Sequence, residues 1–186
     1  MPSGAMADRA GFGKNAVTVQ TILRFPDHRL RANAERVVIF DEDLRSLATD
    51  LLDTLRAASA IGITAPHIGV LKRLVVIELA AVDGVRTYVN PQIVWASADM
   101  IRHEEGSVSM PGVTEEIERH ARVRMSYQDL SGVEKVEEAN GLLSVCLQHE
   151  VDQLDGIFWI YRLSRLKRDR VVKRFDKTQR TQASGD

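Results

Sequence analysis

Cysteine is almost absent from this 186-residue chain, which contains only Cys146. A single cysteine excludes an intramolecular disulfide framework and a multi-cysteine zinc ribbon, and a reducing compartment is its simplest setting. Long apolar runs are missing too: none approaches the ~20 residues that span a bilayer, and residues 1–16 lack the apolar core of a secretory signal. We therefore expect a cytoplasmic protein that does not enter a membrane.

Overall charge is also nearly absent, because 25 basic residues face 26 acidic ones and the net charge is -1. The hydrophobic fraction of 44% is ordinary for globular proteins and excludes wholesale disorder. The length suits one domain with a real core. We predict a single domain over residues 1–186, with residues 1–16 as a flexible lead and residues 177–186 as a frayed tail.

The charge is unevenly placed, because nine basic and two acidic residues lie between Arg162 and Arg180, which gives that segment a net charge of +7. Apolar residues recur through it at helical spacing, and this pattern predicts a basic amphipathic helix near the end of the chain. Two interpretations of its charged face stay open. It is either an ordinary solvated surface or a contact for RNA, such as the ribosome, or for an acidic partner.

Periodicity divides the rest of the chain into helices and antiparallel strands. An apolar stripe predicts a helix from Asp41 to about Ala60, with Asp41 or Asp43 as its N-cap. The runs RLVVIEL and RTYVN predict a hairpin whose second strand ends at Asn90–Pro91. The run VRMSY predicts a further hairpin strand, and LLSVCLQHEVDQL predicts a second helix that ends at Asp155–Gly156. This order indicates an α+β fold.

One segment of the second helix has the residue types of a catalytic site. Residues 148–155 read QHEVDQLD, and a spacing of four places His149 and Gln153 on one helical face. Glu150 lies about 100° further round the helix. This HExxQ pattern is one residue short of the HExxH zinc signature, so by itself it is a weak signal.

Two glycine-containing segments complete the set of motifs. Residues 104–112 read EEGSVSMPG, which by itself predicts only a loop beside an extended strand. Residues 60–69 read AIGITAPHIG, which predicts an apolar loop after the first helix. Within that loop, Gly62 lets another backbone or a ligand approach closely.

Together, the three segments resemble the motifs of peptide deformylases, which read GIGLAAPQVG, EGCLS followed by proline, and HEΦDHLDG. The resemblance extends from about Val19 to Leu166. It implies a peptide deformylase-like α+β fold in which antiparallel strands pack around a central HExxQ helix, with an N-terminal amphipathic helix and a C-terminal basic helix. It also implies a metallohydrolase that removes formyl from the N-terminal methionine of nascent chains with iron(II), replaceable by zinc.

The resemblance also implies roles for individual residues. Glu150 corresponds to the glutamate that carries the proton between water and product. His67 stands in place of the glutamine that binds the formyl oxygen, and the backbone N–H of Val108 is the second donor to that oxygen. Gly62 belongs to the loop that borders the catalytic site. We therefore predict Glu150, His67, Val108 and Gly62 as the catalytic residues.

Two of the three metal-ligand positions implied by the resemblance are substituted. His149 is retained, but Ser107 replaces the cysteine of EGCLS and Gln153 replaces the second histidine of HExxH. A neutral hydroxyl and a carboxamide are weak ligands for iron or zinc. Without a metal, the pKa of the attacking water stays near 15.7 rather than about 7, a difference of about 12 kcal/mol. A general base supplies only about 10²–10⁴-fold, which cannot replace the metal.

We therefore expect no bound metal, or only weakly bound iron or zinc, and no normal deformylase activity. The expected ligands are formylmethionyl or methionyl N-termini of peptides. Two routes to an active amidase or esterase stay open. A metal site could be rebuilt from His67, His149 and Glu150 with Cys146 nearby, or Ser107 could be a nucleophile activated by a histidine. A third alternative is an RNA-binding accessory factor that uses the basic helix.

Overall fold

The computed structural model of the protein describes residues 18–183. The predicted flexible lead, residues 1–16, and the last part of the predicted tail, residues 184–186, lie outside the described residues. The three helices are α1 (Glu42–Ala57), α2 (Gly141–Leu154) and α3 (Arg165–Ala183). The strands are β1 (Gly62–Thr64), β2 (Leu74–Ile77), β3 (Arg86–Ala96), β4 (Met100–Ser107), β5 (Met110–His120), β6 (Arg122–Gln128) and β7 (Glu134–Asn140).

The strands form two antiparallel sheets, as the α+β prediction requires. The larger sheet has the order β1-β2-β3-β6-β7, and β4 pairs with β5 in the second sheet. Side chains alternate between the two faces of β2, because successive residues of a strand point in opposite directions. Leu74 and Val76 pack in the cluster that contains α1, whereas Val75 and Ile77 pack in the cluster that contains α2. The larger sheet is therefore covered on both faces.

Helix α1 begins where the sequence predicts. The side chain of Asp41 accepts a hydrogen bond from the backbone N–H of Leu44 at 3.1 Å, which confirms Asp41 rather than Asp43 as the N-cap. The helix ends at Ala57, a little before the predicted Ala60. Ser59 has a positive φ of 52°, a conformation that cannot continue a right-handed helix.

The prediction that Asn90–Pro91 ends a strand is wrong, because β3 continues through both residues to Ala96. The register shifts between Val89 and Gln92, so a bulge absorbs the proline that cannot donate a hydrogen bond. Asn90 adopts a positive φ of 52° there. Its side-chain amide donates to the carbonyl of Val37 and accepts the N–H of Val37, both at 2.8 Å.

The prediction of a loop at residues 104–112 is also wrong. This segment is a β-hairpin in which β4 ends at Ser107 and β5 begins at Met110. Ser107 lies opposite Met110, and an irregularity of register separates this pair from the regular pairing at Glu105. The glycines and the proline that suggest a loop therefore lie within the ends of the two strands, and the turn itself consists of residues 108 and 109.

Helix α2 is the central helix of the fold and contacts strands of both sheets. Ten of its residues are buried, from Ser144 to Leu154, including polar ones. A helix that is apolar on nearly all sides is expected at such a place. The HExxQ segment lies in the last two turns of this helix, next to β1 and β5.

The predicted basic helix is α3, and its apolar residues Val171 and Phe175 are buried against β5 and neighbouring segments. Lys167 and Arg174 form ion pairs with Glu115 on β5. The helix continues to Ala183, so helical residues occupy most of the segment 177–186 that the sequence predicts to be frayed. Within residues 18–183, no helix combines the length and the apolar character needed to cross a membrane.

Candidate active site

The three sequence motifs meet at one cavity of about 370 Å³. Helix α2 lines one side, the β4–β5 turn lines another, and β1 with the residues on either side of it lines a third. The predicted site residues that line this cavity are Gly62, His67, Ser107, Val108, His149 and Glu150. Gln153 is the one predicted site residue that does not line it.

The retained histidine, His149, is held by a carboxylate that the sequence did not single out. Its Nδ1–H donates to Oε2 of Glu105 at 2.8 Å. Glu105 lies on β4, two residues before Ser107, and is buried. Burial by itself would lower the pKa of His149, but the hydrogen bond to Glu105 and the charges of Glu150 and Glu105 raise it above the ordinary histidine value.

Glu105 belongs to a buried chain of alternating charges. It accepts two hydrogen bonds from Arg119, at 2.7 and 2.8 Å, and Arg119 donates a further one to Asp152 at 2.5 Å. Asp152 also pairs with Arg162. Burial by itself would raise the pKa of Glu105, but hydrogen bonds from Arg119 and His149 lower it to about 2. This chain of charged groups holds Glu105 in place, and Glu105 in turn fixes the orientation of the His149 ring through Nδ1.

Glu150 points into the cavity from the next position of α2. Its carboxylate is buried, and no described residue forms a hydrogen bond with Oε2. Burial raises the pKa of Glu150 to about 7, although the nearby His149 opposes the shift. A Cβ atom at residue 62 would overlap Oε1 of Glu150, so the space of Gly62 is taken up by this carboxylate. That contact is the physical reason for a glycine in the first motif.

His67 occupies a 3-10 turn that follows β1, and its ring is 1% exposed. Nδ1 accepts hydrogen bonds from the backbone N–H of Thr64 at 3.0 Å and from the Thr64 hydroxyl at 2.8 Å. Burial, followed by the charge of His149, lowers the pKa of His67 to about 3. The ring is therefore neutral at physiological pH and carries its proton on Nε2. Nε2 is buried and has no hydrogen-bond partner among residues 18–183.

Ser107 and Val108 form the turn beside the cavity. The hydroxyl oxygen of Ser107 accepts the backbone N–H of Ser109 at 3.2 Å. The carbonyl oxygen of Val108 accepts a hydrogen bond from the guanidinium of Arg24 at 2.9 Å, which fixes the peptide plane of the turn. The serine hydroxyl thus contributes to the turn's own hydrogen bonding as well as to the cavity surface.

Gln153 does not line the cavity, although its position shares a helical face with His149. Its side-chain amide donates to the carbonyl oxygen of Leu30 at 2.7 Å, and the residue is 2% exposed. Leu30 lies in a 3-10 turn at His28–Arg31. The helical phase of positions 149 and 153 is as predicted, but the flexible glutamine side chain bends towards a buried acceptor that would otherwise lack a donor.

The donor set does not fit iron or zinc. Within residues 18–183, no group of three histidine, cysteine, aspartate or glutamate side chains is arranged to hold a metal ion. Of the three positions implied by the resemblance, His149 offers one imidazole, Ser107 offers a neutral hydroxyl, and Gln153 is bonded elsewhere. The rebuilt alternative is no better, because Nδ1 of His67 accepts an N–H and Nε2 therefore carries the ring proton, and because burial raises the pKa of the Cys146 thiol to about 12.

The remaining surface of the cavity is largely apolar. Side chains of Ile61, Leu142 and Val145 line it, with Cys146 between them and the polar residues. Such a cavity can hold an aliphatic side chain. Its buried polar groups without partners are one donor, Nε2–H of His67, and one acceptor, Oε2 of Glu150. A ligand that brings a carbonyl oxygen and an N–H group would satisfy both.

Comparison with known proteins gives a consistent result. Residues 19–169 match the family model described as polypeptide deformylase. A peptide deformylase-like protein of Brucella melitensis is 64% identical over 164 residues, which are 88% of this chain and 100% of that protein. A peptide deformylase of Phenylobacterium zucineum is 42% identical over 87% of this chain and 97% of its own. The crystal structure of a peptide deformylase from Legionella pneumophila superposes with a TM-score of 0.84 at 38% identity, over 89% of this chain and 98% of that one.

Proposed function

The chain belongs to the polypeptide deformylase family, and from this premise we propose that it binds the methionine N-terminus of nascent peptides without metal-dependent hydrolysis. Both formylmethionyl and methionyl N-termini are included in the proposal. Because nascent chains emerge in the cytoplasm, the proposal keeps the cytoplasmic location expected from the sequence. In this proposal the chain keeps the peptide binding of the related deformylases and lacks their hydrolysis.

One observation carries the loss of hydrolysis: the amide of Gln153 is bonded to the carbonyl of Leu30 at 2.7 Å. A carboxamide held by the backbone through its N–H offers a metal at most its carbonyl oxygen, which is a weak ligand in place of an imidazole. Ser107 adds only a neutral hydroxyl, which is a poor ligand. The missing metal leaves a barrier of about 12 kcal/mol, of which a general base such as Glu150 recovers about 3–5 kcal/mol.

The retained cavity supports the binding half of the proposal. Its apolar wall suits an unbranched aliphatic side chain such as methionine, and residues of α2 form one side of the cavity. His67 and Glu150 supply one donor and one acceptor where the end of a peptide would lie. Burial of a methionine side chain is worth about 1.5–3 kcal/mol, so modest affinity follows even without a metal.

The experiment compares binding with turnover on the full chain. Formyl-Met-Ala-Ser and Met-Ala-Ser are titrated by calorimetry, and formate release is measured in the same samples with iron(II) kept from oxygen. We expect saturable binding of at least one peptide and no formate above the uncatalysed rate. Brisk formate release would contradict the proposal, and so would failure of both peptides to bind. Leu142→Asp, which places a charge in the apolar wall, serves as the control that removes binding.

A second candidate function is hydrolysis with Ser107 as nucleophile. The observation that favours it is the hydrogen bond between Glu105 and His149, since a base in a catalytic triad is oriented by a carboxylate in this manner. Glu105 would then be the orienting group. If this candidate holds, Ser107→Ala abolishes hydrolysis of small amides or esters whereas Glu150→Gln retains it. Equal rates for the parent chain and Ser107→Ala would exclude it.

A third candidate, contact with RNA such as the ribosome through Arg162–Arg180, is favoured by the exposed cations of α3. Lys167 and Arg174 are paired with Glu115, but other basic residues of the helix lie on its exposed side. These are Arg165, Arg170, Lys173 and Lys177. Binding that depends on them would weaken steeply with added salt. Affinity that is insensitive to salt would remove this candidate.

A further inference from the structure

We propose that Thr64 is a positioning residue that fixes His67 as a one-directional hydrogen-bond donor to the cavity. The proposal rests on the proposed function and concerns which N-terminus the cavity prefers. An acylated N-terminus brings a carbonyl oxygen that can accept from such a donor. An unblocked N-terminus brings an ammonium group, which can only donate. Thr64 thereby becomes a determinant of ligand specificity although it does not line the cavity.

The positioning depends on two contacts to one nitrogen. Nδ1 of His67 accepts the backbone N–H of Thr64 at 3.0 Å and its hydroxyl at 2.8 Å. A nitrogen that accepts a backbone N–H cannot carry a proton of its own, so the proton of the neutral ring lies on Nε2. Both residues are buried, at 0% and 1% exposure, so water does not compete for these bonds.

The other ring nitrogen is the one that remains available for a ligand. Nε2 of His67 is buried without a partner in the described part of the chain, and His67 lines the cavity. A buried donor without an acceptor is costly, and a ligand that supplies the acceptor recovers that cost. A carboxamide at this position could rotate to present either its oxygen or its nitrogen. The imidazole held by Thr64 cannot do so, and it presents N–H alone.

The second polar group of the cavity matches the same ligand. Oε2 of Glu150 is a buried acceptor without a donor. A formamide group has one carbonyl oxygen and one N–H, so it pairs with His67 and Glu150 together. An ammonium group would pair with Glu150 but would leave Nε2–H of His67 without an acceptor. The formylated peptide thus satisfies both polar groups and the unblocked peptide only one, so the ratio of their affinities tests the proposal.

The experiment measures the affinity ratio of formyl-Met-Ala-Ser to Met-Ala-Ser by calorimetry at one pH. We expect the formylated peptide to bind more tightly to the parent chain. Thr64→Val removes the hydroxyl at constant shape but keeps the backbone N–H on Nδ1, so the proton stays on Nε2 while the ring is held by one contact instead of two. We expect this looser hold to reduce the preference by about threefold to tenfold, the effect of one hydrogen bond. Thr64→Ser should retain it. Thr54→Val is the matched control, because Thr54 is a buried threonine of α1 that does not line the cavity.

A spectroscopic readout separates positioning from a general loss of structure. Nitrogen-15 NMR of the ligand-free chain should show His67 neutral, with the proton on Nε2. A proton on Nδ1 would overturn the proposal, as would tighter binding of Met-Ala-Ser or an equal loss of preference in Thr54→Val. Those results leave the proposed function intact. Failure of both peptides to bind contradicts the proposed function instead, and the nitrogen spectrum then still decides the contact between Thr64 and His67.

Discussion

Replacement of Gly62 by alanine tests the packing of the site most simply. Residue 62 lies in β1 with a backbone conformation that alanine can adopt, so no backbone strain is expected. The added methyl overlaps Oε1 of Glu150, so the carboxylate at the end of this buried side chain must shift. Overpacking of this kind costs about 1–3 kcal/mol of unfolding free energy. We therefore expect Gly62→Ala to be less stable than the parent chain by about that amount.

In a chain that already carries Glu150→Ala, we expect Gly62→Ala to increase the free energy of unfolding instead of lowering it. With the carboxylate removed, the methyl at residue 62 fills free space, and alanine stabilises relative to glycine by about 0.4–1 kcal/mol through the unfolded state. Four chains measured by urea unfolding complete the double-mutant cycle. The sign of the effect should change between the two backgrounds. An equal loss of stability in both would refute the idea that Gly62 is required by the Glu150 carboxylate.

Three further predictions concern the charges of the protein. The pKa of Glu150 is raised to about 7 from 4.5, so the folded state binds this proton more tightly than the unfolded state does. The free energy of unfolding should therefore fall by about 3 kcal/mol from pH 5 to pH 8. Urea titrations of Glu150→Gln should lack this part of the fall. Arg119→Met leaves two buried carboxylates without their shared partner and should cost about 3–5 kcal/mol, whereas Arg102→Met on the exposed face of β4 should cost less than about 1 kcal/mol. Reversal of Arg170 and Lys173 to glutamate should weaken any RNA binding and its salt dependence without changing peptide affinity.

The elements that could be predicted from the sequence are those set by local chemistry. The helix capped by Asp41 and the hairpin between β2 and β3 follow from periodicity and from turn residues. The family resemblance of the three motifs is confirmed by the match over residues 19–169. The strand break at Asn90–Pro91 was wrong because a side-chain contact to Val37 across 53 positions supports the bulge. Such a contact leaves no trace in local composition.

The parts of the site that the sequence did not reveal depend on pairing between distant segments. Glu105 and Arg119 meet because β4 and β5 form one hairpin, and Asp152 reaches them from α2. Glu105 and Asp152 lie inside two of the motifs, but nothing in the sequence distinguishes them from charged residues at the surface. The hydrogen bond of the Gln153 side chain could not be predicted from the sequence either, because its acceptor, the carbonyl of Leu30, is 123 positions away. Helical phase predicts the face of a residue but not the acceptor that its flexible side chain finds.

The central claim is that oxygen and amide groups in place of sulfur and imidazole leave no usable iron or zinc site. The most direct measurement is the metal content of the full chain, purified with excess iron(II) in the absence of oxygen and then freed of loosely bound ions. Elemental analysis should give far less than one iron or zinc per chain, and Ser107→Cys with Gln153→His should raise that content. One tightly held iron or zinc per parent chain, lost on substitution of His149, would contradict the account.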